Sequence, residues 1–181
     1  MPRCRIALVI LCVVFTSVPL QAQKERKTEV SEKQFRHLCL ALLDDPLSDS
    51  AAENVKLIIL FVIDSPKVAV FYGAEEMKWI GDDKVRSNVL LAAYSAGNAQ
   101  AQLLSGVKRN DRYSGLLSLF HVYRALRAQD KDFRIPEVED LLELHKKDQL
   151  VKHLQLLEEK KPTKLTAEQE EAIRKLRGRE K

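Results

Sequence analysis

The chain predicts an all-α fold: a compact bundle of about five to six helices around a central Ala-rich helix, with room for one short isolated strand or hairpin. Apolar residues recur at spacings of three and four through successive stretches. Capping signatures precede several of them, and the longest stretch concentrates Ala and Gly at its seam positions. The 181 residues, 45% hydrophobic and 31% charged, suit one domain that needs neither disulfide nor metal to bury a core.

The first 22 residues are set apart. Arg3 and Arg5 precede an apolar run from Ile6 to Leu20, and Ala22 follows as a small residue before Gln23, the three parts of a secretory signal peptide. Cleavage after Ala22 would give a periplasmic or secreted protein without a membrane segment. Lys plus Arg then falls from 30 to 28 against 26 acids, a net charge of +2 with both signs interspersed. That balance argues against nucleic acid as a partner. The cut also removes Cys4 and Cys12, so Cys39 has no partner for an internal disulfide and reads as a small core residue within an apolar stripe.

Residues 23–30 read as a flexible leader, and residues 31–157 as the helical domain. Ser31-x-x-Gln34 has capping-box form ahead of Phe35, Leu38, Cys39, Leu42 and Leu43, and Asp44-Asp45-Pro46 ends the first helix. Ser50-x-x-Glu53 repeats the signature before Ala51, Val55, Ile58, Ile59 and Val62. Leu57, Leu60, Phe61 and Ile63 occupy the other faces, which predicts a helix buried nearly all round. The alternative over 57–72 is a hairpin, in which Leu57 to Ile63 pairs with Val68 to Tyr72 across Asp64-Ser65-Pro66-Lys67. In either case Val68 to Gly73 reads as extended.

Asp83 to Ser105 is the clearest element. Val85, Val89, Ala92, Ala96, Ala99 and Leu103 form one seam, and Leu90, Tyr94, Gly97, Ala101 and Leu104 a second beside it. Two seams on one helix place neighbours on both flanks. The small residues, Gly97 in particular, let those neighbours come close. Gly106 closes the helix. Tyr113 to Ala128 follows with Leu116, Leu119, Tyr123 and Leu126, Pro136 opens a helix at its first turn, and a turn near Lys147-Asp148 leads to Leu150, Val151, Leu154 and Leu157. Residues 158–181 form a charged linker and a C-terminal helix in which Glu168, Glu170 and Glu171 precede Arg174, Lys175 and Arg177, an order that suits the helix dipole. A tetratricopeptide repeat, tested at its spacing of about 34 residues from Leu90, Tyr94 and Gly97, fails.

Chemistry finds little purchase. No phosphate-cradling glycine loop, cysteine pair at metal spacing or nucleophile elbow occurs. His37, His121, His145 and His153 fall on four different helices, none with a second histidine one turn away, so no metal and no cofactor is expected. The expected function is therefore non-catalytic: an exported helical module that binds a protein or peptide partner through Tyr72, Trp79, Tyr94 and His121. Tyr72 and Trp79 would wall a groove in the irregular chain 72–81, and a lone strand at Val68 to Phe71 would offer its backbone to a partner's strand. Two alternatives stand beside it. A hydrolase-type enzyme would join His121 to a carboxylate and Asn98, whereas a carrier of a small apolar ligand would enclose it between Tyr94, Phe120 and Trp79.

Overall fold

The computed structural model describes residues 30–73, 77–80 and 83–159. The expected signal peptide, most of the expected leader, and the expected C-terminal linker and helix beyond Glu159 lie outside these residues; Glu158 and Glu159, expected in the linker, belong to the last helix. Six helices follow in order: α1 (Glu32–Asp44), α2 (Ala51–Asp64), α3 (Lys84–Ser105), α4 (Arg112–Gln129), α5 (Pro136–Lys146) and α6 (Leu150–Glu159). The fold is all-α, as the apolar spacing predicts.

Local chemistry sets most of the helix ends. Ser31 and Gln34 form the reciprocal capping box at α1. The Asp83 and Asp111 carboxylates accept the Arg86 and Ser114 amides at the starts of α3 and α4, satisfying donors that have no partner inside the helix. Gly106 ends α3 with φ +69°, a left-handed conformation in which a Cβ would be strained. Ser50 departs from expectation. It is itself helical, its side chain caps no backbone amide, and its hydroxyl instead accepts from Asn54 Nδ2 at 3.3 Å.

Helix α2 also corrects two expectations. Residues 57–63 are helical throughout, so no hairpin forms, and the helix is not buried all round. Its buried stripe is Ala51, Asn54, Ile58 and Phe61, while Ile63 is 71% exposed. The reason is position: among the described helices α2 packs mainly on α1 and α3, which cover one face. Phe61 meets α1 through Phe35, their rings stacked with centroids 4.1 Å apart.

Helix α3 is the post of the bundle, touching α1, α2 and, most extensively, α4. From Val89 to Ala99 every residue except Leu91 is buried, whereas Val85 and Leu104, at the ends of the two seams, reach solvent. Two glycines bring α3 and α4 together. A Cβ on Gly97 would lie 2.4 Å from the Ser114 carbonyl oxygen, and one on Gly115 would lie 2.8 Å from the Tyr94 ring. Each helix thus supplies a gap for the other. Burial of a large apolar side chain contributes about 1.5–3 kcal/mol, so the core, which runs without a break from Phe35 through α3 to Leu154, is held mainly by close packing.

Candidate functional site

Between α2 and α3 the chain makes a turn at Ser65 to Lys67 and then runs from Val68 to Gly73 in neither helix nor sheet. Such a segment must find partners for its backbone groups. Here two side-chain amides replace the missing strand. The Ala69 N–H donates to Gln102 Oε1 at 2.9 Å, and Gln102 Nε2 donates back to the Ala69 carbonyl at 2.9 Å. Two residues on, the Phe71 N–H donates to Asn110 Oδ1 at 3.0 Å, and Asn110 Nδ2 returns to the Phe71 carbonyl at 3.4 Å. Alternate residues of a strand direct both backbone groups to the same side, so the two amides imitate successive residues of a neighbouring strand.

Asn98 locks the two amides together. Its Nδ2 donates to Asn110 Oδ1 at 2.7 Å, and its Oδ1 accepts from Gln102 Nε2 at 2.7 Å and from the Asp111 N–H at 2.9 Å. Asn98 and Gln102 stand one helical turn apart on α3 and are both buried. Every amide oxygen and nitrogen of the trio is engaged, which makes the cluster rigid and its register specific.

The other edge of the segment is different. Among the described residues, the N–H and C=O groups of Val70 and Tyr72 meet no hydrogen-bond partner. Val70 packs against the core. Tyr72 leans on α3, its hydroxyl 2.8 Å from Ser95 Oγ and its ring 5.9 Å from that of Tyr94. Phe71 points away and is 67% exposed. One edge of the segment is therefore held from within, and the other meets no hydrogen-bond partner among the described residues and is flanked by two accessible rings, Tyr72 being 43% exposed.

Of the four residues singled out from the sequence, Tyr72 and Tyr94 come together and the other two lie apart. Tyr94 is fully buried, its hydroxyl without a hydrogen-bond partner, and burial pushes that hydroxyl up to about 12. Trp79 is 1% exposed, its indole N–H also without a hydrogen-bond partner among the described residues. It lies beside the start of α3 and the chain entering α5, where it lines a cleft with Arg86, Phe133 and Ile135. The cleft beside it, about 580 Å³, is lined with Asp83, Arg86, Asp130, Asp132, Arg134 and Glu137, and neither Tyr94 nor Phe120 reaches it. His121 is exposed on α4 with Nε2 3.2 Å from the Leu43 carbonyl. No carboxylate lies within its hydrogen-bond reach among the described residues, and Asn98 is committed elsewhere.

Gln102 and Asn110 were not legible as site residues. A signal existed in the pair Asn98 and Gln102, two amides at helical spacing inside an otherwise small and apolar seam, a pattern that solvent-facing positions do not require. Among the described residues no three His, Cys, Asp or Glu side chains could hold a metal ion, and no helix is long and apolar enough to cross a membrane. No protein-family model matches the chain, and comparison with curated proteins and with solved structures finds no significant match.

Proposed function

We propose that the chain is an exported, periplasmic or secreted, non-catalytic interaction module that takes an extended peptide of a partner along the bare edge of Val68 to Tyr72. The observation that carries this reading is the asymmetry of that segment. Gln102 and Asn110 satisfy the backbone of Ala69 and Phe71 on one side, while the backbone groups of Val70 and Tyr72 meet no partner among the described residues. A preformed strand with one free edge lowers the ordering cost of binding, because only the incoming peptide loses freedom. Main-chain hydrogen bonds would supply affinity, and the Phe71 and Tyr72 rings would select side chains.

The test is selection of peptides from a displayed random library against the mature chain. Bound peptides should lose at least about tenfold in affinity when alternate backbone amides are N-methylated, and similarly with Phe71→Ser in the module; tenfold corresponds to about 1.4 kcal/mol. Amide exchange at Val70 and Tyr72 should slow on binding. Peptides that tolerate N-methylation at every position and leave those two amides unprotected would remove the reading.

A further inference from the structure

A second surface lies across the outer side of α1 and α2. Val30, Leu38, Ala41 and Leu57 floor a groove of about 710 Å³, Lys33 and His37 stand on its rim, and no carboxylate is among its lining residues. One turn beyond His37 the exposed Leu40 continues the apolar strip, and Asp44 and Asp45 follow it. Along α1 the groove's rim is thus cationic, at Lys33 and His37, and the carboxylates Asp44 and Asp45 follow beyond its far end.

The part of the chain after α6 carries the opposite order. Leu165, Ala172, Ile173 and Leu176 repeat at helical spacing, Glu168, Glu170 and Glu171 come first, and Arg174, Lys175 and Arg177 come last. Laid parallel to α1, its acids would meet the Lys33 end and its bases the Asp44 end. The run of the chain allows that direction. Glu158, on the last turn of α6, lies 3.7 Å from Arg112. Asn110, two residues before Arg112, holds Phe71, and four residues before Phe71, Lys67 pairs with Glu32, the first residue of α1. The end of α6 is thus linked to the start of α1 through a chain of neighbouring contacts, and the five residues 160–164 can span up to about 17 Å when extended.

We propose that the segment Leu165 to Leu176 of this same molecule docks in the α1–α2 groove as an amphipathic helix parallel to α1, covering Leu40, Ala41 and Leu57. Charge order, apolar spacing and point of departure all favour this occupant. A 12-residue helix is marginal on its own in water, so its order would come from the groove. The docking would weaken with salt, because the rim pairs are exposed. It is independent of the peptide edge at Val68 to Tyr72.

Hydrogen exchange on the full chain tests it. Amides 165–176 should exchange at least about tenfold more slowly than an unstructured peptide, equally at low and high protein concentration, and faster in high salt. Ala41→Glu, at an exposed position, and Ile173→Asp should each abolish the protection. Lys33→Glu with His37→Glu should abolish it too, and Glu168→Lys with Glu171→Lys added to that pair should restore it. Exchange at the unstructured rate in the native chain would overturn the proposal. So would protection indifferent to Ala41→Glu, which would mark a helix formed without the groove, or protection that rises with concentration, which would place the segment on a second copy.

Discussion

A single residue, Gly97, helps decide how closely α3 and α4 approach. Gly97 has no side chain because α4 occupies its place, with the Ser114 carbonyl and the Ser118 hydroxymethyl group both inside van der Waals distance of any Cβ. Alanine is the better helix former by about 1 kcal/mol, yet Gly97→Ala must push α4 away. Overpacking of this kind costs about 1–3 kcal/mol, and backbone yields less readily than a side-chain tip. We therefore expect Gly97→Ala to lower the midpoint of urea unfolding, and a raised midpoint would contradict the close approach. Cys39 makes a different test. Burial pushes its thiol from 9.0 up to about 12, so the folded state holds a proton that the unfolded state releases. That contribution to stability is intact below pH 9 and is lost as pH rises toward about 12. The thiol should resist iodoacetamide until the chain unfolds, and Cys39→Ala should flatten the alkaline limb of the stability profile.

At the scale of elements, the segment from Val68 to Gly73 depends on side chains that do not belong to it. Gln102→Leu keeps the bulk and deletes both hydrogen bonds to Ala69 along with the donor to Asn98. A buried polar group left unpaired costs about 1–3 kcal/mol, and we expect a loss in that range with α3 itself intact by circular dichroism. The Ala69 amide should exchange faster, and peptide binding at the opposite edge should weaken even though Gln102 touches no peptide. An unchanged Ala69 amide would show that the segment is held by its own packing. This element also shows where reading the sequence stops short. The helices are legible because burial repeats at 3.6 residues, and Ser31, Asp83, Gly106 and Pro136 mark their ends through groups only one turn away, whereas the Asp111 cap of α4 lies hidden in a charged turn. The exposed face of α2 is not legible, since Ile63 and Phe61 are equally apolar and only the packing of α1 and α3 over one face separates them. The amide ladder depends on residues 33 and 39 positions apart, and hydropathy assigns Gln102 and Asn110 to water. Gly97 is conspicuous within a helical seam; Gly115, at the start of α4, is not, because its role appears only once Tyr94 lies against it.

For the molecule as a whole, charge is distributed as local pairs. Hydrogen bonds from Lys67, Arg86 and Lys146 hold the Glu32, Asp130 and Glu143 carboxyls below their usual values. Their contribution is present above the ordinary carboxylate range and is lost as pH falls through the depressed values. All three are solvent-facing, so the loss should be gradual and should shrink in salt. Acid titration of the thermal midpoint at two ionic strengths checks this, and a steep transition unaffected by salt would point to a buried carboxylate elsewhere in the chain. Arg86 does more than pair, since its guanidinium also lies 4.5 Å from the centre of the Phe133 ring and ties the start of α3 to the chain entering α5.

The last two helices sit outside the main stack. Their packing is against one another and against α4, through Tyr123 to Glu139 and the His145 ring beside Tyr113 and Phe120. The first four helices share α3 as a common spine; the final pair borrows one wall. Cohesion is therefore uneven, and heat or mild denaturant should peel Pro136 to Glu159 away as one piece while Phe35, Ile58 and Leu90 stay shut. Bundles that loosen in such an order melt in two steps, and here the terminal hairpin, not the spine, would set the temperature at which proteases first gain a foothold.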